Sequence, residues 1–335
     1  MLLKNYADFY TRDPYFQDAY LRCYLNANEE IFHFTHRKDN QHFECKAIKR
    51  PVPEISPSAR GLFDLETVYG YGGYVCKNGD DAFVSEALAR LEAYCREERI
   101  VAHFMRFHPL NDFPLHFGNQ LDFKAENRVT VFVPIADREY SAIKQEYSSS
   151  LKRNINKAKR LGLEVRKLTK SAGERKTFQE LYWRTMERKD ADSLYFFSAD
   201  YFEKLFNLDL CHCYATFLED QVISMIITLE AEGRVYYHLG ATDPDYYQYN
   251  PNPFIMNHRI QQLVAEGGQF YFLGGGNSLA ADDPLFRFKK KFSPHQESFY
   301  IGGKIFMPDA YQELKNGARK KGGELPKMFL AYRFV

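Results

Sequence analysis

The strongest constraint on the fold lies between residues 212 and 273. Three runs rich in β-branched and aromatic residues, 212–218, 222–230 and 234–241, are separated by Glu219-Asp220 and Glu232-Gly233. Linkers this short predict an antiparallel meander. Asn252 and Pro253 then occupy the cap and first-turn positions of a helix that carries Met256, Ile260, Leu263 and Val264 on one face and ends at Gly267-Gly268. The run 269–273 reads as a further strand that leads into Gly274-Gly275-Gly276.

Upstream, Ser148 to Ser150 can cap a helix with Leu151, Ile155 and Ala158 at i, i+4 and i+7, closed by Gly162. Leu163 and Val165 alternate as a short strand. Ser171 and Glu174 form a capping-box pattern ahead of the stripe Phe178, Leu181, Tyr182 and Met186, and Ser198 opens another helix with Phe202, Leu205 and Phe206. Downstream, residues 284–292 read as a short helix and 297–301 as a strand. The order β, α, α, β, β, β, α, β, α, β resembles that of GNAT-type acyltransferases. The first half echoes part of it, with tyrosines in the turn 69–74, a helix from Asp81 and a strand over 100–107. The expectation is an α/β (α+β) protein with two GNAT-like domains in tandem, residues 1–147 and 148–335, built on mixed, mostly antiparallel sheets flanked by helices. The last thirty or so residues, with a helix near 309–315 and a strand over 328–334, can pack on either domain.

Two domains suit a chain of 335 residues, and 45% hydrophobic residues exclude disorder as the main theme. The longest apolar run, near 222–229, is too short to span a bilayer. The first twenty residues carry Lys4, Asp8, Arg12 and Asp13 and do not read as a secretory signal, which implies a cytoplasmic location. Six cysteines in such a chain are expected to be reduced, and the Cys211-His212-Cys213 run lacks partners at zinc-like spacing. Net charge is +1, yet residues 151–170 hold eight basic residues and one acid, and Arg287, Lys289, Lys290 and Lys291 form a second basic group. Positive charge is therefore concentrated, and the exposed face of the 151–160 helix suits contacts to phosphates.

Several segments taken together and in order resemble the Fem-type peptidyltransferases and their relatives with GNAT-type acetyltransferase domains. They are YGYGGY at 69–74, FMRFHPL at 104–110, LKRNINKAKRLGLEV at 151–165, FQELYWRTMERKDA at 178–191, YYHLGATD at 236–243, FYFLGGG at 270–276 and LFRFKKKFS at 285–293. The resemblance covers most of the chain. It implies a cleft between two domains and transfer of an acyl group, in one branch an aminoacyl group from charged tRNA, to an amine of a cell-wall precursor. It also maps the active-site Phe-Lys of the family onto Phe288 and Lys289.

The residues offer their own reasons. An ester or thioester carbonyl attacked by an amine develops negative charge, and a fixed cation stabilises it, which suits Lys289; a phosphate contact is the alternative. Phe288 would shape the pocket. His238, in the strand expected to line the donor groove, is a candidate proton relay. Gly274, Gly275, Gly276 and Asn277 would line the donor side through backbone N–H groups. Lys152, Arg153 and Lys157 are the anion-binding candidates, and Arg106 and Tyr71 the acceptor-side ones; Arg106, in an otherwise apolar strand, needs a partner.

No metal and no tightly bound cofactor are expected, and the co-substrate is aminoacyl-tRNA or acyl-CoA. The loop 241–253, ATDPDYYQYNPNP, contains no glycine to let the backbone approach a CoA pyrophosphate, which points to the tRNA ester. No transmembrane segment is expected, although a lipid-linked substrate would bring peripheral contact with a membrane. The alternatives are a CoA-dependent N-acetyltransferase and a catalytically silent anion-binding module.

Overall fold

A computed structural model describes residues 5–55, 59–190, 195–322 and 325–334. Lys4, named in the leader reading, and Ala191, the last residue of the 178–191 segment, lie outside them. The strands are β1 (Glu30–Lys38), β2 (Gln41–Pro51), β3 (Phe63–Glu66), β4 (Gly73–Lys77), β5 (Ile100–Arg106), β6 (Phe123–Pro134), β7 (Leu163–Lys167), β8 (Cys211–Leu218), β9 (Gln221–Ala231), β10 (Arg234–Thr242), β11 (Phe270–Gly275) and β12 (Gln296–Ile305). The helices are α1 (Asp18–Leu21), α2 (Asp81–Glu97), α3 (Phe113–His116), α4 (Tyr140–Glu146), α5 (Ser149–Arg160), α6 (Ala172–Arg188), α7 (Ala199–Phe206), α8 (Pro251–Ala265), α9 (Pro284–Lys290) and α10 (Pro308–Gly322).

The strands join in one continuous mixed sheet, ordered β1-β2-β3-β5-β12-β6-β11-β10-β9-β8-β7, with β4 paired to β2. Two pairings, β3 with β5 and β10 with β11, are parallel, and the other described pairings are antiparallel. The meander expected over 212–241 is β8-β9-β10. The halves of the chain interleave at the middle of the sheet, because β12 lies between β5 and β6, and β6 pairs in turn with β11.

Alternation along the strands sorts side chains to two faces. On β11, Phe270 and Phe272 join the core under α6 and α7, whereas Tyr271 and Leu273 join the core under α5 and α8. Helix α5 forms because Ser148 caps Leu151 N–H and the apolar positions Leu151, Ile155 and Ala158 fall on its buried face. The capping box of α6 is complete, with the Ser171 and Glu174 side chains each bonded to the other's backbone. Helix α10 packs with Val52, Leu62, Val101 and Ala102 of the first half. Residues 328–334 are not a strand, and Ala331–Arg333 is a single 3-10 turn. Arg333 reaches Asp64 at 2.6 Å and the Pro51 carbonyl at 2.8 Å, so its side chain docks the segment without a ladder.

An aromatic seam covers the junction of the halves. Residues 5–24, folded as short 3-10 turns and α1, lay Tyr6, Tyr10, Tyr15, Phe16 and Tyr20 against Tyr236 and Phe272 of β10 and β11.

Candidate active site

Strand β11 ends in the three glycines. Gly274 has φ +76°, a backbone conformation costly for residues with a Cβ, and the register against β6 slips between Phe272 and Gly274. A Cβ on Gly276 would come within 2.4 Å of Asp283 Oδ1, so the chain passes there only without a side chain. Asp283 closes the loop from the other side. It caps α9 by accepting from Phe286 N–H, and its second oxygen accepts from the N–H groups of Asn277 and Ser278 at 2.9 and 3.1 Å.

This cap aims α9 inward. Lys289 is buried, more so than Phe288, and Nζ donates to the Gly275 carbonyl at 2.7 Å. The sequence spacing places Lys289 on the flank of a Leu285, Phe288 and Phe292 stripe; instead it points into the protein, and Phe288 is half-buried with its ring 5.7 Å from that of Phe292. Lys289 has no carboxylate within ion-pair distance among the described residues. Burial and then the nearby Arg128 charge push its ammonium down to about 7. The Tyr237 ring lies 5.9 Å from Nζ, and Tyr71 Oη and Lys289 Nζ both approach the space above Gly274.

The structure therefore brings together Lys289, Gly274, Gly275, Gly276 and Tyr71. The glycine bend differs from its expected use, since the carbonyls of Gly275 and Gly276, not their N–H groups, face the cations: Arg128 Nη1 donates to Gly276 at 2.8 Å. Asn277 N–H is likewise spent on Asp283, leaving its exposed side chain as the group open to a donor.

His238 is buried away from this cluster. Tyr20 donates to the Tyr69 carbonyl at 2.6 Å, Tyr24 lies 2.8 Å from Tyr20, Tyr201 lies 2.9 Å from Tyr24, and His238 Nε2 lies 2.8 Å from Tyr201. The direction of the first bond orients the rest, so His238 Nε2–H donates into the chain and Nδ1 accepts from Tyr15. Both nitrogens are engaged, and burial pushes the imidazole down to about 3. The proton relay expected of His238 does not fit this geometry; the ring is a strut that ties β10 to the Tyr69 loop.

Arg106 has the partner its setting demands. It donates to Glu66 at 2.8 Å and to the Thr67 carbonyl, so its charge is committed within the protein and it is not a free acceptor contact. On α5, Lys152 is partly buried and donates to the Gln145 carbonyl, while Arg153 and Lys157 are exposed and form no ion pair among the described residues. Ser148 N–H donates to the Lys291 carbonyl at 2.9 Å, which places the start of α5 at the end of the basic α9. Arg153 and Lys157 follow roughly 8 and 14 Å along the helix. Cys211 and Cys213 are buried on β8 as packing residues.

Arg128, Tyr237 and Asp283 join the site without a strong sequence signal. The nearest to one is Arg128 itself, an arginine heading the apolar run 129–133, the pattern that marks Arg106.

The acetyltransferase (GNAT) domain family matches residues 145–290. A curated relative, UDP-N-acetylmuramoylpentapeptide-lysine N(6)-alanyltransferase of Weissella viridescens, is 29% identical over 174 residues, 50% of each protein. The chain thus matches about half the length of that relative. Among solved structures, FemX superposes with a TM-score of 0.66 at 13% identity, covering 85% of this chain and 90% of that one. The C-terminal domain of a candidate lysylphosphatidylglycerol synthetase from Agrobacterium fabrum gives 0.57 at 13% identity over 95% and 96%. A tandem GNAT protein from the clavulanic acid pathway gives 0.51 at 7% identity over 86% of each chain. The fold is that of tandem GNAT proteins and FemX.

Proposed function

We propose that the protein is an acyltransferase that moves an activated acyl group, as an aminoacyl ester, onto an amine of a cell-envelope precursor. The observation that carries this reading is Lys289, a buried ammonium without a carboxylate partner among the described residues, held at a glycine bend between the two halves of the chain. The acceptor nitrogen attacks the ester carbonyl and forms the C–N bond, and charge collects on the carbonyl oxygen. Lys289 offers an N–H to that oxygen, a contribution on the order of 2.7–4 kcal/mol for one such donor. As the C–O bond breaks, the leaving oxygen takes a proton from Lys289, and the proton shed by the attacking nitrogen restores it. A lysine near 7 can do both at neutral pH.

The start of α8 supports an ester donor over CoA. Pro251 and Pro253 remove two of the N–H groups that a helix N-terminus would offer a pyrophosphate, and the turn Pro244–Tyr249 carries three tyrosines in place of glycines. The exposed basic residues Arg153 and Lys157 suit tRNA phosphates. The curated relative's name supports a peptidoglycan precursor as acceptor, handled on the cytoplasmic side, with peripheral membrane contact when that precursor is lipid-linked. No helix among the described residues is long and apolar enough to cross a membrane. The domain match at 145–290 favours a second reading, a CoA-dependent N-acetyltransferase.

The test is incubation of the purified protein with UDP-N-acetylmuramoyl-pentapeptide and either charged tRNA or acetyl-CoA, with amide product read by mass spectrometry. Product from charged tRNA is expected. Product from acetyl-CoA alone replaces the first reading with the second, and no product from either, with RNA still bound, leaves a binding module.

A further inference from the structure

We propose that Arg128 is a positioning residue for the transfer: it pins the Gly274–Gly276 bend and sets the charge state of Lys289. The inference rests on the acyltransfer reading for its consequence, but its physical content is independent of any substrate.

Arg128 comes from β6, which runs beside β11 with Val131 opposite Gly274 and Thr130 opposite Gly275. Its aliphatic stem lies against the bend, so a Cβ on Gly275 would meet Arg128 Cδ at 2.9 Å. Nη1 donates to the Gly276 carbonyl at 2.8 Å and Nε to Asn127 Oδ1 at 2.7 Å. Lys289, from α9, takes the preceding carbonyl, that of Gly275. Two cations from opposite halves of the chain thus grip consecutive carbonyls, and among the described residues neither forms an ion pair with a carboxylate.

The groups facing Lys289 are Arg128 from β6, Asp283 from the cap of α9, Lys189 from beyond the end of α6, Tyr237 from β10 and Tyr71 from the loop before β4. Asp283 is the one acid among them in the described residues, and three backbone N–H groups already share its oxygens. After burial, the Arg128 charge is the largest influence against a charged Lys289. A guanidinium and an ammonium held in a partly dry space repel, and the ammonium relieves that repulsion by releasing its proton, which a guanidinium does not do. A purely structural Arg128 would pin the loop and leave the lysine titration untouched.

The two roles separate by measuring how fast cyanate, which reacts with the neutral amine, carbamylates Lys289 as a function of pH, read on the Lys289 peptide by mass spectrometry. The full chain is compared with Arg128→Met, Arg128→Gln and Arg128→Lys. The labelling midpoint is expected to rise in the two charge-free variants, with labelling at pH 7 slowed about two- to three-fold, and to stay near that of the wild type in Arg128→Lys. In the transfer assay kcat is expected to fall in the charge-free variants with KM little changed, and Arg128→Lys to recover part of it. An unchanged midpoint in whichever charge-free variant folds overturns the proposal. If the wild type makes no amide from any donor, the acyltransfer reading fails while the labelling still decides whether Arg128 governs Lys289.

Discussion

The aromatic seam and the glycine bend both bury polar groups, and they balance them in opposite ways. At the seam a connected network pairs donors with acceptors: His238 feeds the chain of Tyr201, Tyr24 and Tyr20 to the Tyr69 carbonyl, and Tyr236 donates to the buried carboxyl of Asp13. Leu110 N–H donates to His108 Nδ1, so His108 Nε2 carries the proton and donates to Tyr236 at 3.0 Å. Burial holds Asp13 up to about 7 and His238 down to about 3, so the seam tends to shed charge. At the bend, Lys289 and Arg128 put two cations on backbone carbonyls, and neither forms an ion pair with a carboxylate among the described residues. A network that neutralises itself fixes geometry. One left with excess positive charge is built to receive a negative one, such as a developing oxyanion.

The largest break in this contrast is Lys289→Met. Turnover in a single-turnover transfer assay is expected to fall by about 10²–10³. Thermal stability should hold or rise, because a buried cation with no carboxylate partner among the described residues is replaced by an apolar side chain of similar length. Wild-type stability should also climb between pH 7 and pH 10.5: there the unfolded chain still carries the lysine proton and the folded chain does not, so raising the pH favours folding. A melting temperature several degrees lower in Lys289→Met would make the lysine a structural element like those of the seam.

The seam should behave in the reverse manner. Tyr236→Phe removes the donor to Asp13 and the acceptor of His108 and should cost about 1–3 kcal/mol by thermal unfolding, with kcat within two-fold of the wild type. Asp13 supplies a pH signature of opposite sign. Its folded value is raised from 3.8 to about 7, so between those limits the folded chain holds a proton that the unfolded chain has released, and stability falls as pH rises. The buried histidines slope the other way below pH 6.5, so the readout is the difference in melting temperature between wild type and Asp13→Asn, followed from pH 4 to 7. A pH-independent difference would mean that Asp13 is charged in the folded protein.

What the sequence shows of this contrast follows from how local each signal is. The meander, α5, α6 and the Gly274–Gly276 bend are set by residues within a turn or two of one another, and they are legible as caps, stripes and short linkers. Lys289 is legible through its motif, but its burial is not, because Asp283 five residues ahead of the motif's Phe288 decides which way α9 faces. Arg128 and Gly276 are 148 residues apart in sequence, and their contact exists because β6 pairs with β11, which no local pattern announces. The fate of His238 depends on Tyr15, 223 residues away. Residues 328–334 are apolar and aromatic enough to look like a strand, yet the Arg333 and Asp64 pair docks them without a ladder.

The smallest expected effect on folding, and the sharpest question about the donor, lies on α5. Arg153 and Lys157 are exposed, form no described ion pair, and belong to a helix whose first turn is bonded to the end of α9. Changing both to Gln should shift stability by no more than about 0.5 kcal/mol, since no buried contact is lost. If they meet the phosphates of a tRNA whose ester end lies at Lys289, the slope of log affinity against log salt should become shallower by about 1.5 for two lost contacts. Turnover at saturating charged tRNA should stay unchanged, because neither residue touches the reacting carbonyl. An unchanged slope would make this face a solvated helix surface and leave the bend as the sole anion-seeking region of the pair.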